Sequence, residues 1–550
     1  MKKIIVTVIV LAAVQTSFAQ RTRRSTTNVS KDTTRPGTVV VTSAFKPSLK
    51  PAAKINFSAV PPLPDTAKPN LRYNVPSQNL FFSYQPIPLQ PLALTVDTAL
   101  NWQNQNFIKA GYGNYTSPYL QAGFSFGDGK NSVVNIHAKH ISAKGTRTLQ
   151  DFSYTNADAI GIFNDMHNDE WTAKVGFDNR KQYQYGYVPD TLKFGKDSLL
   201  RKYTDITLQA GLRNRTVNSF GINYNPTIKM DIFNDNRNAR ENNFVLDAPI
   251  RKTIGRVFAF KVGLTADFTK YTTKSVTISN NLFYLTPALQ FNTPNFRLNA
   301  GFTPSWDNSI FSLLPNFTAD IKMKDEKFVV QAGWVGYYQK TNYLYLTSIN
   351  PFIEQPTSLS NTRYREQYAG FKGSAGSHLT YIARVSFLKI SNMPLFVNDT
   401  VTGRKFNVVN ESDMKAVRLH GELGYTVSEK FSFAAAATFN QYSNLADNKK
   451  AWGLLPLELT GSLRWNVLKD LLIKSDLFFW DGPQYRNKKL DSQKQKAAFD
   501  LSAGAEFSVL PKLNIWLQFN NIFNNRYERW HQYEVLGTNV HAGIVYSFGK

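Results

Sequence analysis

The stretch HAKH contains two histidines, His137 and His140, whose spacing suggests a possible metal site. Imidazole is a common metal ligand. The surrounding residues alternate in polarity, and this pattern predicts a β-strand. Residues at i and i+3 on a strand point to opposite faces, so we do not expect the two histidines to share a metal ion.

The sequence contains no recognisable catalytic motif. The chain has no cysteine, which excludes disulfides, thiolate metal sites and a lipid-modified N-terminal cysteine. It also lacks a glycine-rich phosphate loop, a nucleophile elbow and an HExxH sequence. The sequence therefore predicts neither an enzyme nor a cofactor site.

A short β-prone run lies near the start of the chain. The sequence GTVVVTSAFKP covers Gly37–Pro47, and Val39–Val41 give it strand propensity. It lies at the start of a segment, Pro36–Pro91, that holds 11 of the 25 prolines and cannot form a regular sheet or helix. The valines could line a wall of the fold or complete a sheet of this chain.

The first residues form a secretory signal peptide, predicted over residues 1–19. Lys2 and Lys3 precede an apolar run, Ile4–Val14, and the sequence SFA ending at Ala19 fits a cleavage site. The mature chain then begins at Gln20. The apolar run is too short to cross a bilayer as a helix. The protein is therefore expected to be exported.

The net charge of +25 suggests anionic partners, but nucleic acid is not expected. An exported chain rarely meets nucleic acid, and no nucleic-acid-binding motif is present. The basic residues could suit anionic sugars of an outer leaflet or an anionic ligand. Ordinary solvated loops are the alternative explanation.

From residue 104 onward, the chain is predicted to form the strands of a membrane barrel. Aromatic residues make up 14% of the chain, yet its mean hydropathy is negative. This combination fits a transmembrane β-barrel, in which only every second residue faces lipid. The alternation runs from residue 104 to residue 548. In residues 512–519, for example, the apolar side chains are Leu513, Ile515, Leu517 and Phe519.

The fold predicted is therefore all-β: a transmembrane antiparallel barrel of about 22 strands, residues 104–550, in the cell outer membrane among its lipids. The connections expected to be long lie near 187–202, 341–361, 393–412 and 525–537. They follow odd-numbered strands, whereas short turns follow even-numbered ones. An even strand count places both termini in the periplasm, so residues 20–103 form an extended, Pro-rich periplasmic or lumenal tail.

The last predicted strand carries a signal for barrel assembly. Its sequence, NVHAGIVYSFGK, alternates and resembles the C-terminal signal of outer-membrane proteins. The residues assigned to this signal are Ile544, Tyr546 and Phe548. Gly549 and Lys550 follow the final aromatic residue, which departs slightly from the usual pattern.

Four features together resemble the TonB-dependent receptor family: the strand count, the alternating last strand, LQFNNIFNNRYERW (Leu517–Trp530), and TVVVTSA (Thr38–Ala44), which is similar to a TonB box. The stretch Asn106–Ser125 further resembles plugless or short-tailed barrels of Bacteroidetes type. The resemblance implies nutrient binding or uptake and a TonB-type periplasmic partner, to whose sheet edge the TonB-box-like run would add a strand. The residues it assigns to that partner are Thr38, Val39, Val40, Val41, Thr42 and Ser43.

The chain departs from this family in lacking room for a plug. The family carries a plug of roughly 130–150 residues before the barrel, a segment long enough to be a domain of its own. Here a Pro-rich stretch of about 60 residues separates the TonB-box-like run from the first strand. The alternative function is therefore a non-transporting structural or accessory barrel of an envelope protein complex.

Aromatic clusters near predicted strand ends have two interpretations. Examples are Gly333–Tyr338, Leu477–Trp480 and Tyr527–Tyr533. Girdles at the membrane interfaces are the expected role. Trp530 and Tyr533, in the last outer loop, are the candidates for stacking on a ligand instead.

Overall fold

The computed structural model describes residues 106–189, 191–323, 327–428 and 430–548. The predicted signal peptide, the tail and the TonB-box-like run lie outside these residues. Within them no helix is long and apolar enough to cross a membrane.

Segments in which polar and apolar residues alternate form β-strands throughout the described residues. The first of them are β1 Asn106–Gly113, β2 Ser117–Gly127, β3 Ser132–Ala143, β4 Phe152–Asn164, β5 Asp169–Tyr183, β6 Leu200–Asn214, β7 Ile222–Tyr224, β8 Thr227–Asp235, β9 Arg240–Ile254, β10 Phe258–Thr272, β11 Thr277–Leu285, β12 Ala288–Asn292, β13 Phe296–Asp307 and β14 Ile310–Met323. A short helix, α1 Lys196–Leu199, precedes β6.

The second half of the chain continues in the same way. Its strands are β15 Phe328–Gln339, β16 Thr362–Ala375, β17 Leu379–Ser391, β18 Met393–Asn398, β19 Phe406–Glu411, β20 Met414–Val427, β21 Phe431–Ser443, β22 Leu457–Leu468, β23 Leu471–Trp480, β24 Gln484–Arg486, β25 Ser492–Lys494, β26 Ala498–Leu510, β27 Leu513–Asn520, β28 Glu528–Trp530, β29 Tyr533–Glu534 and β30 Asn539–Phe548. A second helix, α2 Tyr343–Ile349, lies between β15 and β16.

The barrel contains 24 of these strand segments in one antiparallel sheet. Two neighbouring pairs each make up a single barrel strand: β7 with β8, and β11 with β12. Each pair is interrupted at a proline, Pro226 or Pro287, which has no N–H to donate to the sheet. The barrel therefore has 22 strands, as the sequence predicted.

The barrel closes where β1 pairs with β30, from Asn106 opposite Phe548 to Gly113 opposite His541. We call this pairing the closing seam. Gly111 and Gly543 lie directly opposite each other in it. A Cβ at Gly111 would clash with the ring of Trp516, so the glycine lets this ring lie against the seam from inside.

The two faces of the wall differ as expected for a membrane barrel. On β1, Ile108 and Tyr112 point outward and are 38% and 58% exposed, whereas Phe107 and Lys109 point inward and are 1% and 8% exposed. The outer face is apolar and the inner face carries most of the charges. This is an outer-membrane barrel.

Connection lengths alternate between the two ends. Both described chain ends lie at the end with short turns, which is the periplasmic end in bacterial barrels. Six connections of 13 or more residues lie at the opposite, outer end: residues 184–199, 340–361, 392–413, 444–456, 481–497 and 521–538. Four of them match the four predicted long connections, whereas 444–456 and 481–497 were not predicted to be long. We call the four predicted connections, 184–199, 340–361, 392–413 and 521–538, together the cap.

Candidate functional site

The cap covers the outer mouth of the barrel with an aromatic core. Tyr533 of the last connection stacks on Phe352 with ring centroids 3.6 Å apart, and Tyr185 contacts the same tyrosine ring at 5.0 Å. Trp530 packs edge-on against Phe396 and Phe406 at 5.1 and 5.5 Å. Residues from all four connections therefore meet in one buried cluster.

Helix α2 fixes this cluster to the barrel wall. Asn342 caps the helix by accepting a hydrogen bond from the N–H of Tyr345 at 2.9 Å. The N–H groups of Tyr343 and Leu344 donate to the Glu241 carboxylate at 2.7 and 3.0 Å. One buried side chain of β9 thus satisfies two free N–H groups at the helix start.

The Tyr343 side chain makes a second attachment. Its hydroxyl donates to Asp235 at the end of β8 at 2.9 Å. Burial raises the pKa of the Tyr343 hydroxyl well above its usual value, so the group stays a neutral donor. Nearby, Arg237 pairs with Glu354 at 3.0 Å. The connection that carries α2 is therefore bonded to the β8–β9 turn at several points.

A buried amide network anchors the other end of the same connection. Asn361 donates to Asn280 at 2.8 Å and to Asp307 at 2.7 Å. Asn280 in turn donates to the carbonyl of Thr341 at 3.0 Å. Lys340 forms an ion pair with Asp267 at 2.9 Å. These polar groups satisfy one another at the rim and hold the cap in one position.

Trp530 and Tyr533, the candidate ligand contacts, lie inside the aromatic core and are only 2% and 3% exposed. The girdle interpretation is wrong for these two residues, because their rings pack on other cap residues rather than on lipid. Ligand stacking stays a prediction, and it would require the cap to open. Trp334, in another predicted cluster, is 47% exposed on the outer face.

The other predicted site residues are distributed as follows. Ile544 and Tyr546 point outward from β30 and are 50% and 48% exposed, and Phe548 stacks on Tyr546 at 5.7 Å. Their role in assembly stays a prediction. The proposed partner-binding residues Thr38–Ser43 lie outside the part of the chain that the structure describes.

The two histidines have separate partners. His137 contacts Gln121 at 2.9 Å and Asp158 at 3.5 Å on the inner face. His140 contacts Thr155 at 2.8 Å. Over the described ranges, no group of three or more His, Asp or Glu side chains could hold a metal ion.

A cavity of about 800 Å³ lies beneath the cap, along the inner face from β13 to β22. Tyr345 and Ile349 of α2 and Met393 and Phe396 of β18 form its upper side. A ligand in this cavity would be separated from the outside by the cap.

Charged side chains line the wall of this cavity. The Arg384 guanidinium lies 4.3 Å from the ring centroid of Tyr368, and Arg418 donates to Asn440 at 2.8 Å. On the same wall, Lys372 pairs with Asp320 at 3.2 Å. These groups can bind the polar or charged parts of a ligand, and none forms a nucleophile–base pair with its neighbours.

Arg384 and Arg418 were not among the site residues predicted from the sequence. The signal that could have found them is their position between outward-facing apolar residues, such as Val385 and Leu419. A charge at such an alternate position must point into the barrel.

Known proteins match this chain in structure but not in sequence. No protein-family model and no curated protein matches it. The FrpB iron transporter from Neisseria meningitidis (F3-3 variant) has a TM-score of 0.62 and 12% identity, over 81% of this chain and 82% of that one.

Two receptors are similar to the same extent. The siderophore receptor PirA from Acinetobacter baumannii has a TM-score of 0.63 and 8% identity, over 81% of this chain and 80% of that one. The pyoverdine outer membrane receptor FpvA from Pseudomonas aeruginosa PAO1 has a TM-score of 0.61 and 12% identity, over 82% of this chain and 79% of that one. These likenesses establish the fold: the chain is a closed 22-stranded barrel with the architecture of outer-membrane iron and siderophore transporters.

Proposed function

We propose that this barrel is an outer-membrane receptor that binds a nutrient and takes it up in the manner of TonB-dependent receptors. The observation that carries the proposal is the charged cavity beneath a closed cap. A charged site between an outer lid and the periplasmic end suits a receptor that holds its ligand before releasing it inward. An open pore would need no such cap.

Two further observations support uptake. The structurally similar proteins are transporters or receptors for iron, siderophores and copper. The run Thr38–Ser43 has the strand propensity that a TonB-type partner would need for β-augmentation. We infer that the Pro-rich tail presents this run in the periplasm, and that the barrel is of the short-tailed type without a full plug.

The second candidate function is an accessory barrel in an envelope complex. The observation that favours it is again the cap, because an aromatic core packed across the mouth would also suit a barrel that never opens. The two functions differ in what they require of Arg384 and Arg418. Only a receptor needs the charges of the cavity.

Growth of a deletion strain on single limiting nutrients tests the proposal. A receptor predicts loss of growth on one nutrient class, restored by the wild-type chain and weakened for Arg384→Ala with Arg418→Ala at normal barrel levels. Normal growth on every nutrient, together with stoichiometric partners in mild detergent, would favour the accessory function and contradict uptake.

A further inference from the structure

A second group of charges lies on the inner face beside the closing seam, away from the cavity beneath the cap. Lys109 of β1 and Lys139 of β3 are both paired in register with Gln121 of β2. Neighbouring strands are about 4.8 Å apart, so the two lysines start roughly 10 Å from each other on one face. Both are more than nine-tenths buried, at 8% and 7% exposed.

Both ammonium groups lie near the same aromatic ring. The Nζ atoms of Lys109 and Lys139 each lie 5.8 Å from the ring centroid of Tyr119. Lys109 also lies 4.2 Å from the ring of Trp516, which covers the closing seam. Two like charges therefore lie beside one tyrosine ring.

In the described part of the chain, neither lysine forms an ion pair. The nearby carboxylates are engaged with other groups. Asp158 pairs with His137 at 3.5 Å. Glu506 accepts from Asn514 at 2.7 Å and pairs with Lys474 at 3.7 Å.

The free-energy cost of burying the two ammonium groups exceeds what their aromatic contacts return. Removing an ammonium group from water costs free energy even after relaxation. A desolvated cation–π contact returns only part of that cost. Repulsion between the two cations adds to the deficit. The rings alone do not offset the burial of both charges.

We propose that Lys109 and Lys139 form a lumenal binding site for a small oxyanion, either free phosphate or the carboxylate of a small solute. An oxyanion can accept charge-assisted hydrogen bonds from both ammonium groups at once. The rings of Tyr119 and Trp516 form the apolar side of the site. Gln121 is already committed, since its oxygen accepts from Tyr119 at 2.6 Å.

Equilibrium dialysis of the full-length detergent-solubilised protein tests the site directly. The probes are labelled phosphate and labelled citrate, each at constant ionic strength in chloride. We expect saturable binding of one of them at about one equivalent per barrel. The variant Lys109→Met with Lys139→Met keeps the side-chain length and should bind at least about tenfold more weakly.

A matched control is Lys229→Met, which removes an inward-facing lysine that already has a carboxylate partner, Asp231, at 2.9 Å. It should bind the anion like the wild type. Heat-modifiable gel migration shows whether each variant is folded. If the double variant does not fold, Lys139→Met alone serves in its place.

Two outcomes would overturn the proposal. One is no saturable binding of either anion by the folded wild type. The other is equal binding by the wild type and the double variant, which would indicate general attraction to a basic protein. Because binding is measured on the purified barrel, neither outcome depends on whether it takes up a nutrient.

Discussion

The backbone N–H of Tyr343 donates to the carboxylate of Glu241 at 2.7 Å, and this contact ties the cap to the barrel wall. The two residues lie 102 positions apart in the chain. The helix start and the carboxylate are both buried, so neither can form a hydrogen bond with water instead. Loss of this hydrogen bond should therefore release the cap from the barrel wall.

Replacing Glu241 with alanine should open the cap. Two buried N–H groups would lose their acceptor, which costs about 1–3 kcal/mol each. Leu346 of α2 is 1% exposed. In a chain that has no natural cysteine, maleimide labelling of Leu346→Cys should accelerate at least about tenfold when Glu241→Ala is added.

The control for this measurement is Ser348→Cys, an exposed position on the same helix. It should react quickly whether or not Glu241 is present. Equal, slow labelling of Leu346→Cys in both backgrounds would show that Glu241 does not hold the cap.

Trp530→Ala should loosen the cap without opening the barrel. Removing a buried tryptophan leaves a cavity between Phe396 and Phe406 and costs about 3–5 kcal/mol. We expect trypsin to cleave faster at Arg526 and Arg529, while heat-modifiable migration stays normal.

Trp334→Ala is the matched control, because this tryptophan faces outward. It should leave cleavage of the last connection unchanged. If Trp530→Ala also leaves cleavage unchanged, or if it abolishes the folded barrel, the ring has a different role from the one assigned here.

Acid should weaken the β28–β29 hairpin through Glu528. Burial alone would raise the pKa of this carboxyl, but hydrogen bonds outweigh it and the pKa is lowered. The donors are His531, the N–H of Gln532 and the side chain of Gln495. A carboxyl whose pKa is lower in the folded state stabilises it above the unfolded pKa, about 4.3, and this contribution is lost as pH falls through the folded value.

Hydrogen exchange of residues 521–538, corrected for intrinsic rates, measures this effect. Protection should fall below about pH 4 in the wild type. Glu528→Gln should be less protected at neutral pH and show little further change with acid. An identical acid response in both proteins would assign the effect to another group.

Alternation was sufficient to predict the barrel from the sequence. In β27, for example, Ile515 and Leu517 face lipid on either side of buried Trp516. The strand count, the connection pattern and the four longest predicted connections are confirmed. Local periodicity determines these features, because each barrel strand must present one apolar face.

Contacts between distant connections could not be predicted in this way. The stacking of Phe352 on Tyr533 joins residues from opposite parts of the chain. The hairpins β18–β19, β24–β25 and β28–β29 are short and carry no sustained alternation. Strand parity could place Lys109 and Lys139 inside the barrel, but only the register shows that both lie beside Gln121.

Coupling of the tail to a periplasmic partner is the central requirement of energised uptake. Val40→Pro removes one N–H and fixes φ, so residues 38–43 could no longer add a strand to a partner's sheet. Val40→Thr keeps β-propensity and serves as the control. The expected barrel-assembly residues lie at the other end of the chain, in β30, so neither change should alter membrane levels.

The most direct measurement is therefore photocrosslinking from position 40 in whole cells, scored together with barrel abundance and nutrient-limited growth of the two variants. We expect a crosslink to a TonB-type periplasmic protein, and normal abundance with lost growth for Val40→Pro alone. A reduced level of folded barrel in Val40→Pro, with no crosslink to such a protein, would contradict energised uptake and make this segment a structural part of the barrel.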